Sequence, residues 1–254
     1  MDIKLKTFKE KAWMFAYFSY IAYMLPRDGI NAFAKFGFDA TFINLDGSQA
    51  YWLVSDTDLV IVCRGIELTE LEDLTSTFDF RLISASPWPG KVHAGFVESI
   101  DDIWPTIENL VNKYTNRKIW LCGHSLGGAM SALLAYKLKL DTTCPDPNEL
   151  YTYGSPKIGD QEYATALDAT KLLHYRFVNN NDIVPNIPPS GYGHFGKLYF
   201  IDRDGKIVDP SWYQSVKDRT KSIASGEFSF FINHRVTRYV NSLYIWMKSV
   251  PGQK

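Results

Sequence analysis

The sequence predicts an α/β fold with a mostly parallel central sheet flanked by helices and an antiparallel hairpin at its N-terminal edge. Strand-like and helix-like segments alternate along the 254 residues, which is typical of βαβ units. Residues 59–63 (LVIVC) form a continuous apolar run, as expected for a strand that is covered on both faces. Asp46 and Gly47 separate two strand-like segments, 41–44 and 50–54, and this pattern predicts the hairpin.

The N-terminal element is predicted to be a packed amphipathic helix over residues 12–25 that ends at Pro26. Four lysines precede this apolar run, so a secretory signal peptide must be considered. Asp2 and Glu10 among the lysines, and the lack of a small-x-small cleavage site, argue against one. The run is also shorter than the roughly twenty apolar residues that cross a bilayer. We therefore expect no transmembrane segment and favour a cytoplasmic over a secreted location.

The rest of the chain continues the alternation of strands and helices. Helices are predicted over 95–114, 126–140, 161–169 and 235–248, and strands over 118–122, 149–153, 173–178, 198–201 and 206–208, with a second hairpin turn at Asp204–Gly205. No Pro/Gly/Ser-rich linker or charge block divides the sequence. Residues 1–254 are therefore expected to form a single domain.

Composition and motif content argue against several classes of protein. Lys plus Arg number 27 and Asp plus Glu number 28, so no general positive field attracts nucleic acid. The three cysteines, Cys63, Cys122 and Cys144, are too few for a disulfide framework and are expected to be free thiols. Neither an H-E-x-x-H pattern, nor paired cysteines, nor a G-x-G-x-x-G after a strand is present. We predict neither a metal nor a cofactor.

The strongest chemical signal is Gly123-His124-Ser125-Leu126-Gly127, which lies between a predicted buried strand and a predicted helix. A serine hydroxyl becomes an effective nucleophile when a sharp turn exposes it and a base accepts its proton. The G-x-S-x-G pattern in this context predicts such a nucleophile elbow, with the Leu126 N–H as one donor to an oxyanion. The alternative is a glycine-rich turn with a bystander serine.

In this architecture the acid and then the base follow the nucleophile along the chain. His93 precedes the elbow, and His124 adjoins the serine, where its backbone rather than its ring is expected to serve the geometry. His174 lies inside a predicted strand. His194 and His234 therefore remain as candidate bases.

Asp182 is the best candidate for the acid because it follows a predicted buried strand. Catalytic carboxylates of this architecture stand at such strand ends. Alternatively, Asp182 only caps the turn that leads to Pro185. Its position alone does not decide between the two.

Several further motifs, in this order, resemble the class 3 lipase family, also called the fungal-type lipases, of the α/β-hydrolase fold. The resemblance covers about residues 60–239. Its motifs are C-R-G at 63–65, V-H-A-G-F at 92–96, G-H-S-L-G-G-A at 123–129, G-S-P-K-I-G at 154–159, R-F-V-N at 176–179, D-I-V-P at 182–185, P-P at 188–189 and G-Y-G-H at 191–194, followed by His234.

The resemblance implies a triad of Ser125, Asp182 and His234, with His194 as the family's recurring histidine outside the triad. It also assigns the second oxyanion donor to Ile66, where the family usually has Thr or Ser. The backbone N–H survives this replacement and the hydroxyl does not. Either the oxyanion hole has one donor fewer, or a neighbour such as Thr69 supplies it.

Residues 66–90 would form the lid of such a lipase, because apolar residues alternate there with acidic ones at helical spacing. The same pattern also fits an ordinary helix packed on the core. The favoured function is a carboxylic ester hydrolase, specifically a triacylglycerol lipase or lipid esterase, acting through an acyl-enzyme on an ester or lipid substrate at a lipid–water interface. The alternatives are a phospholipase A1, a small-ester esterase, and a catalytically silent binding module, which the isoleucine at position 66 would favour.

Overall fold

The structure is a computed structural model that describes residues 2–45, 47–66, 80–188, 190–208 and 232–249. Its α-helices are α1 (Phe8–Ile21), α2 (Pro26–Ala34), α3 (Ala94–Lys113), α4 (Leu126–Leu140), α5 (Gln161–Ala169) and α6 (Val236–Lys248). Its strands are β1 (Asp39–Leu45), β2 (Ser48–Val54), β3 (Asp58–Cys63), β4 (Leu82–Ile83), β5 (Val92–His93), β6 (Lys118–His124), β7 (Glu149–Tyr153), β8 (Leu173–Asn179), β9 (Lys197–Ile201) and β10 (Ile207–Val208).

Within the described ranges, eight strands form one sheet in the order β1-β2-β3-β6-β7-β8-β9-β10. The central strands from β3 to β9 run parallel, and β1, β2 and β10 add antiparallel pairs at the two edges. The hairpins predicted around Gly47 and Gly205 are both present. Because the parallel strands share one direction, their carboxyl ends lie along the same edge of the sheet.

Both faces of the sheet are covered, which explains the continuous apolar run in β3. Its residues alternate between two cores: Leu59 and Ile61 pack with α3 and α4, whereas Val60 and Val62 pack with α1. Every residue of β3 is buried. A parallel strand in this position has no solvent face, so it needs apolar residues at consecutive positions.

The N-terminal helix differs from the prediction in its bounds and its pattern. It begins at Phe8 because Thr7 and Glu10 form a capping box. Pro26 does not end it but starts a second helix, since proline is compatible with the first helical position. The buried positions of α1 are not confined to one amphipathic stripe, because α2 and α6 pack on it as well as the sheet.

α1 and α6 lie against each other on one face of the sheet, and α4 leaves the carboxyl end of β6 on the other face. In this arrangement, the start of α4, the end of β8 and the residues before α6 lie near the edge of the sheet that holds the carboxyl ends of the parallel strands. The helices of the described ranges are all too short or too polar to span a membrane.

Candidate active site

Ser125 lies on a strained turn between β6 and α4. Its φ of 58° and ψ of −131° are unusual for a residue with a side chain, and such a conformation persists only where its surroundings enforce it. The Ser125 N–H donates to the Tyr153 carbonyl at 2.9 Å, and the Gly128 N–H donates to the Ser125 carbonyl at 2.9 Å. These bonds hold the serine at the strand end, as the elbow pattern predicts.

The two glycines that flank the elbow are needed because backbone segments cross closely there. A Cβ on Gly123 would lie 2.1 Å from the Gly127 carbonyl oxygen, and one on Gly127 would lie 2.3 Å from the Cys63 carbonyl oxygen. Any side chain at either position would push α4 away from β3 and β6. The G-x-S-x-G spacing therefore follows from the contact between the helix and the sheet.

The structure brings Ser125, His234 and Asp182 together in one chain of hydrogen bonds. The Ser125 hydroxyl lies 2.7 Å from His234 Nε2, and His234 Nδ1 lies 2.8 Å from Asp182 Oδ2. A carboxylate only accepts, so Nδ1 carries the proton and Nε2 is left to accept from the serine. All three side chains are buried. The arrangement can therefore pass the serine proton to the imidazole.

Asp182 makes contacts that fit both roles that its sequence position allowed, and its role as the acid stays a prediction. Its Oδ1 accepts from the Val184 N–H at 3.0 Å, which stabilises the turn after β8. Its Oδ2 accepts from His234 and from the Tyr239 hydroxyl, the latter at 2.5 Å. One carboxylate therefore both stabilises the turn and contacts the histidine.

Gly154 and Tyr239 lie against Asp182 or His234, and the sequence analysis assigned neither of them a role. Gly154 has a φ of +60°, and a Cβ there would lie 2.8 Å from Asp182 Oδ2 and 3.0 Å from His234 Nδ1. Tyr239 is fully buried in α6 and also accepts from the Asn179 N–H at 3.1 Å. A glycine directly after β7 was a detectable signal, whereas Tyr239 reaches Asp182 only through the tertiary fold.

His93, His174 and His194 occupy other places. His93 caps α3, where its Nδ1 accepts from the Phe96 N–H at 3.4 Å. His174 is bonded to Thr152 on the neighbouring strand at 2.9 Å, and burial, aided by the charge of Arg176, lowers its pKa to about 3. His194 is half-buried in the loop before β9. The position beside Ser125 belongs to His234.

His124 differs from the expectation that only its backbone would serve the elbow. Its ring is buried, with Nε2 at 2.6 Å from the His234 carbonyl oxygen and Nδ1 at 2.9 Å from the Tyr23 hydroxyl. Burial, and next the proximity of His234, lower the pKa of His124 well below its usual value. The ring therefore stays neutral. It contacts the segment that carries the candidate base, which the sequence did not indicate.

Leu126 and Ile66 are the candidate oxyanion donors. Leu126 is the first residue of α4, directly after the serine. Gly65 touches the elbow, since a Cβ on it would lie 3.2 Å from Ser125 Cβ, and Ile66 follows it along the chain. The role of both N–H groups remains a prediction.

Most of the predicted lid lies outside the described residues, which omit 67–79 and with them Thr69. At the described end of the segment, Leu82 lies in β4, which pairs with β5, and Trp88 is buried in the core. These residues do not form the helix that the spacing indicated. This end of the segment is packed on the body of the protein.

One group of metal-ligand types was found in the part of the chain that the structure describes. Ligand atoms of Glu108, Asp141 and Cys144 lie within 4.8 Å of one another. They lie at the end of α4 remote from Ser125 and offer three ligands, one fewer than structural zinc sites use. Burial raises the pKa of the Cys144 thiol, which opposes the thiolate that a metal requires.

Comparisons with known proteins identify the family and the fold. The model of the family "Lipase (class 3)" matches residues 60–192, more than half of the chain. A Rhizomucor miehei lipase is 33% identical over 156 residues, which are 58% of this chain and 42% of that protein. A "Secreted mono- and diacylglycerol lipase 1" of Fusarium solani is 36% identical over 117 residues, which are 44% of this chain and 34% of that protein.

A solved structure of the Rhizomucor miehei triacylglyceride lipase superposes with a TM-score of 0.67 at 24% identity, covering 90% of this chain and 97% of that one. The fold is thus that of an α/β-hydrolase with a serine at the elbow. The chain belongs to the class 3 lipase family. It spans about two fifths of the Rhizomucor relative's full length.

Proposed function

We propose that this protein is a serine hydrolase that cleaves carboxylic esters through an acyl-enzyme intermediate. The observation that carries the proposal is the buried chain of hydrogen bonds from Ser125 through His234 to Asp182, at 2.7 Å and 2.8 Å. An imidazole placed between a hydroxyl and a carboxylate is the arrangement that activates a serine for acyl transfer.

In the first half of the reaction, Ser125 Oγ attacks the ester carbonyl carbon while His234 Nε2 accepts the hydroxyl proton. The tetrahedral intermediate collapses when His234 returns that proton to the departing alcohol, which leaves the acyl group on Ser125. Water then repeats the cycle and releases the acid. Asp182 holds the imidazole in its Nδ1–H tautomer and stabilises the imidazolium that forms in each half.

The oxyanion of each tetrahedral intermediate needs donors fixed in advance. The N–H of Leu126 is the first, at the start of α4. The N–H of Ile66 is the proposed second, since the preceding Gly65 lies against the elbow. Each well-placed donor contributes about 2.7–4 kcal/mol of transition-state stabilisation in comparable serine enzymes.

The proposed substrates are acylglycerols or related lipid esters. Support comes from the similar Rhizomucor and Fusarium proteins, whose names describe a triacylglyceride lipase and a mono- and diacylglycerol lipase. A phospholipase A1 and a small-ester esterase use the same chemistry and differ in the pocket. The proposal includes a single domain over residues 1–254. A cytoplasmic location stays a prediction from the sequence, and the Fusarium protein, described by its name as secreted, does not favour it.

The test is hydrolysis of p-nitrophenyl esters of increasing chain length, followed by triacylglycerol and phosphatidylcholine emulsions. We expect Ser125-dependent turnover that is highest on long chains and on acylglycerols, and that rises when a long-chain ester passes from monomers to an emulsion. Turnover confined to short esters would identify a small-ester esterase. Cleavage of phosphatidylcholine alone would identify a phospholipase. Absence of any Ser125-dependent turnover would identify a silent binding module.

A further inference from the structure

The candidate base lies on a segment whose position needs external support. His234 is not on the sheet but directly before α6, which begins at Val236. Its ring must nevertheless stay within hydrogen-bond distance of Ser125 on one side and Asp182 on the other. Catalytic groups tolerate displacements of only about 0.5 Å. The contacts that fix the backbone at 233–234 are therefore part of the catalytic geometry.

His124 makes such a contact from the elbow itself. Its Nε2 lies 2.6 Å from the carbonyl oxygen of His234, and the centroids of the two imidazole rings are 4.5 Å apart, with the ring planes at 33° to each other. The Asn179 side chain holds the preceding residue, because its Nδ2 donates to the Asn233 carbonyl at 2.8 Å. The backbone that carries the base is thus bonded both to the residue before the nucleophile and to the strand before the acid.

The hydrogen-bond partners of His124 allow a single tautomer. A backbone carbonyl only accepts, so Nε2 must carry the proton. Nδ1 is then an acceptor, and the Tyr23 hydroxyl donates to it at 2.9 Å. Both ring nitrogens are satisfied in the neutral form, and a second proton would displace the Tyr23 donor. Tyr23 lies just after α1. The segment after the N-terminal helix therefore supports the His124 ring, which in turn contacts the backbone of the candidate base.

We propose that His124 is a positioning residue that sets the place of the base, through the hydrogen bond from its Nε2–H to the His234 carbonyl. The inference rests on the proposed function, since it assigns His234 the role of the base. His124 itself touches no reacting atom in this scheme. It acts by keeping His234 Nε2 aligned with Ser125 Oγ when the proton moves.

Two amide variants test the reach of this donor. The His124→Gln amide extends about as far as Nε2 and can donate to the His234 carbonyl, whereas the His124→Asn amide reaches only about as far as Nδ1. We expect His124→Gln to keep kcat within about threefold of the parent. His124→Asn and His124→Phe should lower kcat about tenfold to a hundredfold, because small misplacements of catalytic groups have effects of this size. KM should change little, since substrate contacts are intact.

His174→Phe is the matched control, since it removes another buried histidine with one ring hydrogen bond, at the opposite end of β8 from Asp182. It should lower stability and leave kcat per folded molecule unchanged. The low-field proton resonance of His234 Nδ1–H bonded to Asp182 gives a readout without substrate. We expect it to persist in the parent and His124→Gln, and to shift upfield or disappear in His124→Asn and His124→Phe.

Equal kcat in His124→Asn and His124→Gln, or an unchanged proton resonance in a folded His124→Phe, would overturn the inference. Should His124→Phe fail to fold, the comparison of Asn with Gln still decides, because both carry the same polar group. A parent without Ser125-dependent turnover would refute the proposed function alone. In that case the proton resonance still reports whether His124 positions His234.

Discussion

Replacement of Gly154 by alanine should separate catalytic geometry from backbone strain. Gly154 has a φ of +60°, and its absent side chain leaves space that Asp182 and His234 occupy. The left-handed backbone costs a residue with a Cβ about 1–2 kcal/mol. The new Cβ would lie 3.0 Å from His234 Nδ1, against about 3.5 Å for an ordinary contact. The imidazole must therefore move by about 0.5 Å, which is the tolerance of a catalytic group.

We expect Gly154→Ala to lower kcat about tenfold to a hundredfold, measured on a p-nitrophenyl ester per folded molecule, and urea unfolding to show lower stability. Gly47→Ala is the control, since Gly47 has a φ of +88° with nothing within 4 Å of its Cβ position. It should carry a similar strain and keep the kcat of the parent. If Gly154→Ala loses only the stability that Gly47→Ala loses, and keeps its kcat, the close contact with the triad is not functional.

Asp182→Asn should keep the thermal midpoint near that of the parent and lose about four powers of ten in turnover, because the base is left in the wrong tautomer; a mainly structural aspartate would instead lower the midpoint and spare the turnover of the folded fraction. His174 has a folded pKa of about 3 against an unfolded value of 6.5, so its contribution to stability is present above pH 6.5 and is lost as the pH falls towards 3. Between pH 7 and pH 5 this loss amounts to about 2 kcal/mol, so urea unfolding of His174→Gln should be less sensitive to pH by that amount, and equal sensitivity would contradict the assignment. Ile66→Thr should raise turnover by adding a hydroxyl donor, up to the roughly 2.7–4 kcal/mol of a well-placed one, against the loss of isoleucine packing; a folded variant that is no faster would mean that the hole is already complete or that position 66 does not form it.

Local patterns were enough to predict the sheet and the turn that carries Ser125. α4 over Leu126–Leu140 and α5 over Gln161–Ala169 have the predicted bounds, because apolar spacing and cap residues act within a few turns. The elbow could be predicted for the same reason, since Gly123 and Gly127 are required by close backbone contacts between adjacent elements. The sequence did not indicate α2, because a proline after a helical run predicts the end of that helix, whereas Pro26 is the first residue of the next one.

The rest of the site depends on contacts between residues far apart in the chain. His234 and His194 were equivalent by position, and only the family resemblance favoured His234. The bond from Tyr239 to Asp182 spans 57 residues, and the contact of His124 with His234 spans 110. Neither contact leaves a periodic or turn signal in the sequence. Tertiary packing determines both contacts, so they could be found only in the structure.

Labelling with a fluorophosphonate, followed by peptide mapping, tests most directly whether Ser125 is a nucleophile activated by His234. The account predicts one adduct, on Ser125, that is absent in Ser125→Ala. His234→Ala should slow the labelling by several powers of ten, since triad members act as one unit, and His194→Ala should label at nearly the parent rate. An adduct on another residue, or labelling that is abolished by His194→Ala and retained in His234→Ala, would contradict the account.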